Sequence, residues 1–216
     1  MAWITLRKGV HRMLPSLTIQ PVYRVGETLK LLPEGARICD VGAGGRKITS
    51  DTYTIDGHVS KNTSLVCDIH SIPLPDESFD CIFCTGTLEH VREPDRALNE
   101  IHRLLKKSGI AHIEVPFMQG YHADPDDYWR WTLQGLKLSC TKAGFSEISS
   151  GTHIGPASAL NWVLNENIIC LFGNGVLGNA VAAVLRFMPV KYLDYLLVKK
   201  ETAARSAAGL YFVGRK

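Results

Sequence analysis

The chain has 216 residues, 45% hydrophobic and 21% charged, which suits one domain with a sizeable core. A formal net charge of +3 is too weak to argue for a nucleic-acid partner, so none is expected. Six cysteines in mostly apolar surroundings, with no evident secretory signal, point to reduced thiols and a cytoplasmic setting.

Leu6, Val10, Met13 and Leu14 fall on one helical face, and Arg7, Lys8, His11 and Arg12 on the other. Such a basic amphipathic start either caps the core or lies against a membrane surface. Pro15 and Pro21 break this region, and Val25 to Leu32 predicts a second helix, giving an N-terminal helical cap over 1–33 and a main domain over 34–216. Strands are predicted at Ala36–Val41, Tyr53–Ile55 and Ser64–Cys67. Phe79–Cys84 is apolar nearly throughout, as in a strand buried on both faces. Its Cys81–Cys84 pair has CxxC spacing but no second pair at a zinc-site distance, so it is read as core and no metal is expected.

Glu93 to Lys107 predicts a helix. Pro94 fits its first turn, Ala97, Leu98, Ile101, Leu104 and Leu105 form one apolar stripe, and Gly109 stops it. Lys106 and Lys107 then stand at a solvated helix end that complements the dipole. After a strand at Ile110–Val115, Thr132 is placed to N-cap a helix reaching Ala143, with Gly144 as its stop. Phe145–Ile148 and Leu210–Val213 are the last predicted strands. Strands alternating with helices imply an α/β domain with a mostly parallel sheet covered on both faces. Residues 155–198 form an apolar helical insertion before the last strand, serving as a lid, a homodimer surface or a membrane contact. Asn174, Asn179, Arg186 and three glycines interrupt Asn167–Met188, which weighs against a spanning helix.

Residues 38–45 read ICDVGAGG, with three glycines among four residues directly after an apolar run. Glycine costs conformational entropy on folding, so the cluster reflects a tight turn or a backbone passing close to a ligand. In an open α/β sheet ligands bind beyond the carboxyl ends of the strands, which is where this run falls. It is not the GxGxxG of a dinucleotide fold. Asp56 and Asp68 end the next two predicted strands; either could be a turn aspartate, yet a carboxylate there can also accept ribose hydroxyls or an exocyclic purine amine.

Taken together, ICDVGAGG, YTIDG, CDIHSIPLPDESFDCIFCTGTLEHV and EPDRALNEIHRLLKKSGIAHIEVPF resemble the class I S-adenosylmethionine-dependent methyltransferases, in particular the small type 11-like branch. The resemblance covers about residues 36–150 and the final GLYFVGRK. It implies a Rossmann-like fold with a seven-stranded mostly parallel sheet, S-adenosylmethionine as cofactor and methyl transfer as activity, the alternative being a non-catalytic cofactor-binding or protein-interaction module of the same fold. HADPDDYWRWT is similar to a stretch found among surface-polysaccharide and cell-envelope methyltransferases, which implies a small-molecule, sugar or lipid-linked glycan acceptor. On this resemblance Asp40 stands behind the methionine amino group, and Gly42, Ala43 and Gly44 let the backbone approach the cofactor. Asp56 holds the ribose, with Asp51 as the competing position because the interval after Gly45 is short and its helix abridged to a turn or two. Asp68 and the Ile69 amide meet the adenine, while Thr85 and Gly86 line the methionine end.

Displacement at the sulfonium methyl needs a nucleophile held in line with it, and a base only where that nucleophile starts protonated. Glu89 and His90 follow the fourth strand; His90 is placed as a base or substrate contact, or as a packing residue of the next helix. In the loop after the fifth strand, His122 or Asp127 could take a proton, Tyr128, Trp129 or Trp131 could stack on a sugar ring or shield the cationic sulfur, and Arg130 could hold an anion. The alternative is a helix-entry loop with aspartate turns. His58, His70, His102, His112 and His153 have no ligand spacing and are read as surface or satisfied residues.

Overall fold

A computed structural model describes residues 16–21, 24–173, 175–187 and 189–216; the amphipathic start predicted around Leu6–Leu14 lies outside them. Strands β1 (Ile38–Val41), β2 (Tyr53–Asp56), β3 (Leu65–Val66), β4 (Phe79–Thr85), β5 (Leu105–Pro116), β6 (Ser146–Ile154) and β7 (Gly209–Arg215) form one sheet in the order β3-β2-β1-β4-β5-β7-β6. All neighbours are parallel except β7, which runs antiparallel to both β5 and β6. The order reverses between β1 and β4, so the crevice lies beyond their carboxyl ends.

The β4 side chains alternate between two buried layers. Ile82 and Cys84 meet helices α2 (Pro94–Leu104) and α3 (Leu133–Lys142) through Leu98, Ile101, Leu104, Leu136 and Cys140. Cys81 and Phe83 face the opposite side, where Val25 and Leu29 of α1 (Arg24–Leu29) close a smaller cluster with Tyr211 and Val213. Cys81 and Cys84 thus point away from each other, and burial pushes both thiols up; all six cysteines are free.

Pro94 begins α2, and Thr132 Oγ1 accepts from the Gly135 amide (3.1 Å) to cap α3. Helix α2 ends earlier than predicted. Leu105 is already extended and pairs with Phe79, a register shift follows, and Ile110 pairs with Cys81. Lys106 is therefore not at a helix end: it lies in β5 and ion-pairs with Asp80 of β4 (2.9 Å). Arg103 explains the PDES segment, donating to Asp76 and Glu100 (2.6 and 2.7 Å) and to the carbonyls of Ile72 and Leu74.

The abridged helix expected between β1 and β2 is replaced by turns; Thr52 Oγ1 accepts from the Thr49 amide and bonds the Thr49 hydroxyl (both 2.9 Å). Strand β6 runs to Ile154, past the predicted Ile148, because β7 pairs with it along its whole length. The insertion forms α4 (Pro156–Phe172), α5 (Val176–Phe187), a 3-10 turn (Pro189–Leu193) and α6 (Asp194–Leu197). The fully buried Asp194 accepts from the amides of Ala157 and Ser158 (2.8 and 2.9 Å), capping α4 from a distance and tying α6 to it. Val176–Leu197 is long and apolar enough to cross a membrane by length and composition, but it is broken into these pieces and carries the buried Lys191 and Asp194.

Candidate functional site

Each glycine of the β1 turn has a left-handed backbone: φ is 74° at Gly42, 57° at Gly44 and 85° at Gly45. A Cβ on Gly42 would strike the Thr87 side chain, and one on Gly45 would press on Ser60 (3.1 Å), whereas one on Gly44 would meet nothing within 4 Å. The cluster thus answers to backbone conformation and to Thr87 passing overhead, and only Gly44 opens onto free space. Ala43 is buried between them.

The Gly44 amide donates to Asp56 Oδ2 (2.8 Å) and the His58 amide to Oδ1 (3.0 Å), so Asp56 sits at the end of β2 with its carboxylate locked against the glycine turn. Asp51 lies exposed in the preceding turn, away from the strand end. Asp68, past β3, accepts from the His70 amide (2.9 Å) and ring Nδ1 (2.6 Å), and these bonds hold its carboxyl below the usual range. Ile69 packs against the main core. Both aspartates line up along one rim, spaced by adjacent parallel strands.

Sequence reasoning missed Arg46. Asp40 is fully buried, and Arg46 grips both its oxygens (2.8 and 3.0 Å) while also donating to the Thr85 carbonyl (3.3 Å). Burial pushes the Asp40 carboxyl up even against this guanidinium. The signal available was a single cation directly after the glycines, opposite an aspartate in an otherwise apolar strand. Asp40 thus meets the space beyond β4 only through Arg46.

Beyond β4 and β5 lies a cavity of about 240 Å³. Arg46, Thr85 and Gly86 line it together with Glu89, His90, His122, Glu114 and His153. The turn Leu88–His90 buries the Glu89 side chain at 3% exposure, its Oε1 3.6 Å from His122 Nε2 and 3.8 Å from His90 Nε2. Burial alone would lower His122, but Glu89 and the Gly120 carbonyl outweigh it and hold the imidazole above its ordinary value. His112 and His153 are not surface residues. His112 is fully buried between Thr28 Oγ1 (2.7 Å) and Glu114 Oε1 (3.1 Å), and burial pushes His153 down.

The loop after β5 spends its charges internally. Arg130 Nη1 and Nη2 donate to the two oxygens of Asp127 (2.6 and 2.7 Å), and its Nε and Nη2 to the carbonyls of Gln119 and Gly120 (both 3.0 Å). Asp127 also accepts from the His122 amide (2.8 Å). Burial opposes ionisation of Asp127, yet Arg130 and that amide pull its pKa to about 2. This geometry suits Asp127 and Arg130 to positioning His122 rather than to proton transfer or anion capture. Tyr128 donates to Asp126 (2.7 Å) and Trp129 Nε1 to the Val91 carbonyl (2.9 Å); both rings remain partly exposed at the rim, while Trp131 enters the core.

This strand order and the sites at the strand ends define the Rossmann-like class I methyltransferase fold. A family model described as "Methyltransferase domain" matches residues 39–113, which supports the resemblance to the class I S-adenosylmethionine-dependent methyltransferases. It is 31% identical over 151 residues to the tRNA (carboxymethyluridine(34)-5-O)-methyltransferase alkbh8 of Xenopus tropicalis, covering 62% of this chain and 23% of that protein. It is 36% identical over 81 residues to the ubiquinone/menaquinone biosynthesis C-methyltransferase UbiE of Xanthomonas oryzae pv. oryzae, covering 37% and 32%. The chain thus spans about a quarter to a third of the length of these relatives. Among solved structures, the 1,6-didemethyltoxoflavin-N1-methyltransferase of Burkholderia thailandensis superposes with a TM-score of 0.57 at 16% identity, over 91% of this chain and 78% of that one, which speaks to the fold. The tRNA relative leaves the expected exclusion of nucleic acid without support.

S-adenosylmethionine is the cofactor of this class. The residues present fit it: a carboxylate at the end of β2, open space over Gly44, and a cavity beyond β4 that Arg46, Thr85 and Gly86 line.

Proposed function

We propose that the chain transfers the methyl group of S-adenosylmethionine to an acceptor seated in the cavity beyond β4 and β5. Asp56 takes the ribose hydroxyls, Asp68 and the Ile69 amide the adenine, and Arg46 with Thr85 and Gly86 the methionine end. The bound cofactor supplies an electrophilic methyl on sulfur. The acceptor faces Glu89, His90 and His122, which manage its proton, and Tyr128 and Trp129 border its entrance. The observation that carries this reading is one cavity lined jointly by the methionine-end residues and by this titratable cluster. At about 240 Å³ the cavity is smaller than is usual for drug-sized ligands, which favours a single ring-sized acceptor group such as a sugar.

The acceptor class we favour is a small molecule, a sugar or a lipid-linked glycan, in a cytoplasmic protein. The tRNA-acting relative motivates a second reading, in which one extruded base enters the cavity. Thermal shift with S-adenosylmethionine, S-adenosylhomocysteine and NAD tests the cofactor; stabilisation by the first two alone is expected. Transfer of labelled methyl to a panel of glycans, quinones and tRNA then separates the acceptors. Stabilisation by NAD alone would refute the reading.

A further inference from the structure

We propose that Glu89, His90 and His122 form a binding site for one divalent transition cation of the Zn²⁺ type. The two imidazoles are set up for this by their outer nitrogens. His90 Nδ1 contacts the Asp126 carbonyl at 2.6 Å, and His122 Nδ1 contacts the Gly120 carbonyl at 2.8 Å. A carbonyl can only accept, so each Nδ1 carries the proton, and in the neutral imidazole, the form that binds a metal, each Nε2 keeps its lone pair. Arg130 Nη2 lies farther from His122 Nδ1, at 3.4 Å, and its nearer partner is Asp127. An imidazole held through one nitrogen by a backbone carbonyl, with the other free, is the form in which histidine ligates metals.

The three candidate ligand atoms lie within 4.8 Å of one another, with Glu89 Oε1 3.6 and 3.8 Å from the two Nε2 atoms. Ligands about 2.1 Å from a tetrahedral ion stand roughly 3.4 Å apart, so small side-chain rotations close the set. An independent observation points the same way: Glu89 is 97% buried in side-chain area, and its Oε2 has no hydrogen-bond partner among the described residues. A buried, half-satisfied carboxylate is costly unless something cationic completes it. The rings of His90 and His122 stand edge to face (5.3 Å, 87°), both bordering the cavity, so an ion there keeps a coordination position open to the acceptor. Two imidazoles and one carboxylate select a borderline first-row cation over Mg²⁺ or Ca²⁺.

Binding of the ion does not depend on the methyl-transfer reading, but its use does. Beside an acceptor hydroxyl, the three side chains act on its proton through the ion they hold: the ion lowers the hydroxyl pKa and the proton leaves to solvent. The resulting alkoxide forms the new O–C bond, while the sulfur retains the electron pair of the broken C–S bond.

The test is titration of the chelator-stripped full chain with Co²⁺, Zn²⁺ and Mg²⁺. One Co²⁺ per chain is expected, with visible ligand-field bands that Zn²⁺ abolishes by displacement and Mg²⁺ does not. His90→Ala, His122→Ala and the near-isosteric Glu89→Gln each weaken Co²⁺ binding by at least about tenfold. His58→Ala, at an exposed imidazole, leaves it unchanged. Absence of one-to-one binding by the wild type overturns the proposal, as does affinity unaltered in all three site variants. S-adenosylhomocysteine affinity measured on the same samples keeps the two readings apart: retained cofactor binding without metal binding sinks only the cation site.

Discussion

Asp127→Asn tests how the β5 loop is held. Asp127 is almost fully buried, takes two short hydrogen bonds from Arg130 and fixes the His122 amide. Its pKa of about 2 compares with roughly 3.9 in an unfolded chain, a gap of about 1.9 units, or ~2.6 kcal/mol in favour of the folded state. The folded value is the lower one, so this contribution is complete above about pH 4 and fades as the pH falls towards 2. Asparagine keeps the shape but loses the charge, leaving Arg130 half-paired. Urea denaturation at neutral pH should show the variant about 2 to 3 kcal/mol less stable, a melting shift of roughly 4–10 °C for a chain of this size. Repeated at about pH 3, the difference should be near half. A difference that is negligible at pH 7, or that stays constant from pH 7 to pH 3, would refute the clamp.

Other consequences are open to measurement. Gly42→Ala and Gly44→Ala both place alanine at positive φ, costing about 1–2 kcal/mol, but only Gly42→Ala also collides with Thr87. Chemical denaturation should therefore rank Gly42→Ala as clearly the worse of the two. Asp68→Ala, at an exposed side chain, should leave the melting temperature nearly unchanged while weakening S-adenosylhomocysteine binding severalfold by calorimetry. Arg46→Ala strands the buried Asp40 carboxylate and should destabilise by about 3–5 kcal/mol, with Asp40→Asn added to it restoring part of the loss.

Much of this architecture was legible because it rests on local chemistry. The apolar run Phe79–Cys84 has to be buried on both faces, and Pro94 and Thr132 mark helix starts by what their backbone and hydroxyl can do. The end of α2 was not legible. The apolar stripe continues through Leu105, and only pairing with Phe79 decides that this residue belongs to a strand. The candidate site divides along the same line. The rim residues Asp56 and Asp68 follow from strand ends and are therefore readable in sequence. The Asp40–Arg46 grip, the Asp127–Arg130 clamp and the meeting of Glu89 with His122 depend on how loops fold back, which spacing alone does not encode. Of the two explanations for the clustered glycines, the structure displays the tight turn directly, as left-handed backbone with a close neighbour at Gly42, and leaves open space at Gly44.

The central claim is that the crevice from Asp56 to the cavity at Glu89 receives S-adenosylmethionine with its sulfonium end inward. A crystal structure with S-adenosylhomocysteine bound measures this directly. The account predicts ribose oxygens on Asp56, adenine at Asp68 and the sulfur directed at the cavity between Gly86 and Glu89. A product bound elsewhere, or lying with its sulfur turned away from that cavity, would contradict it.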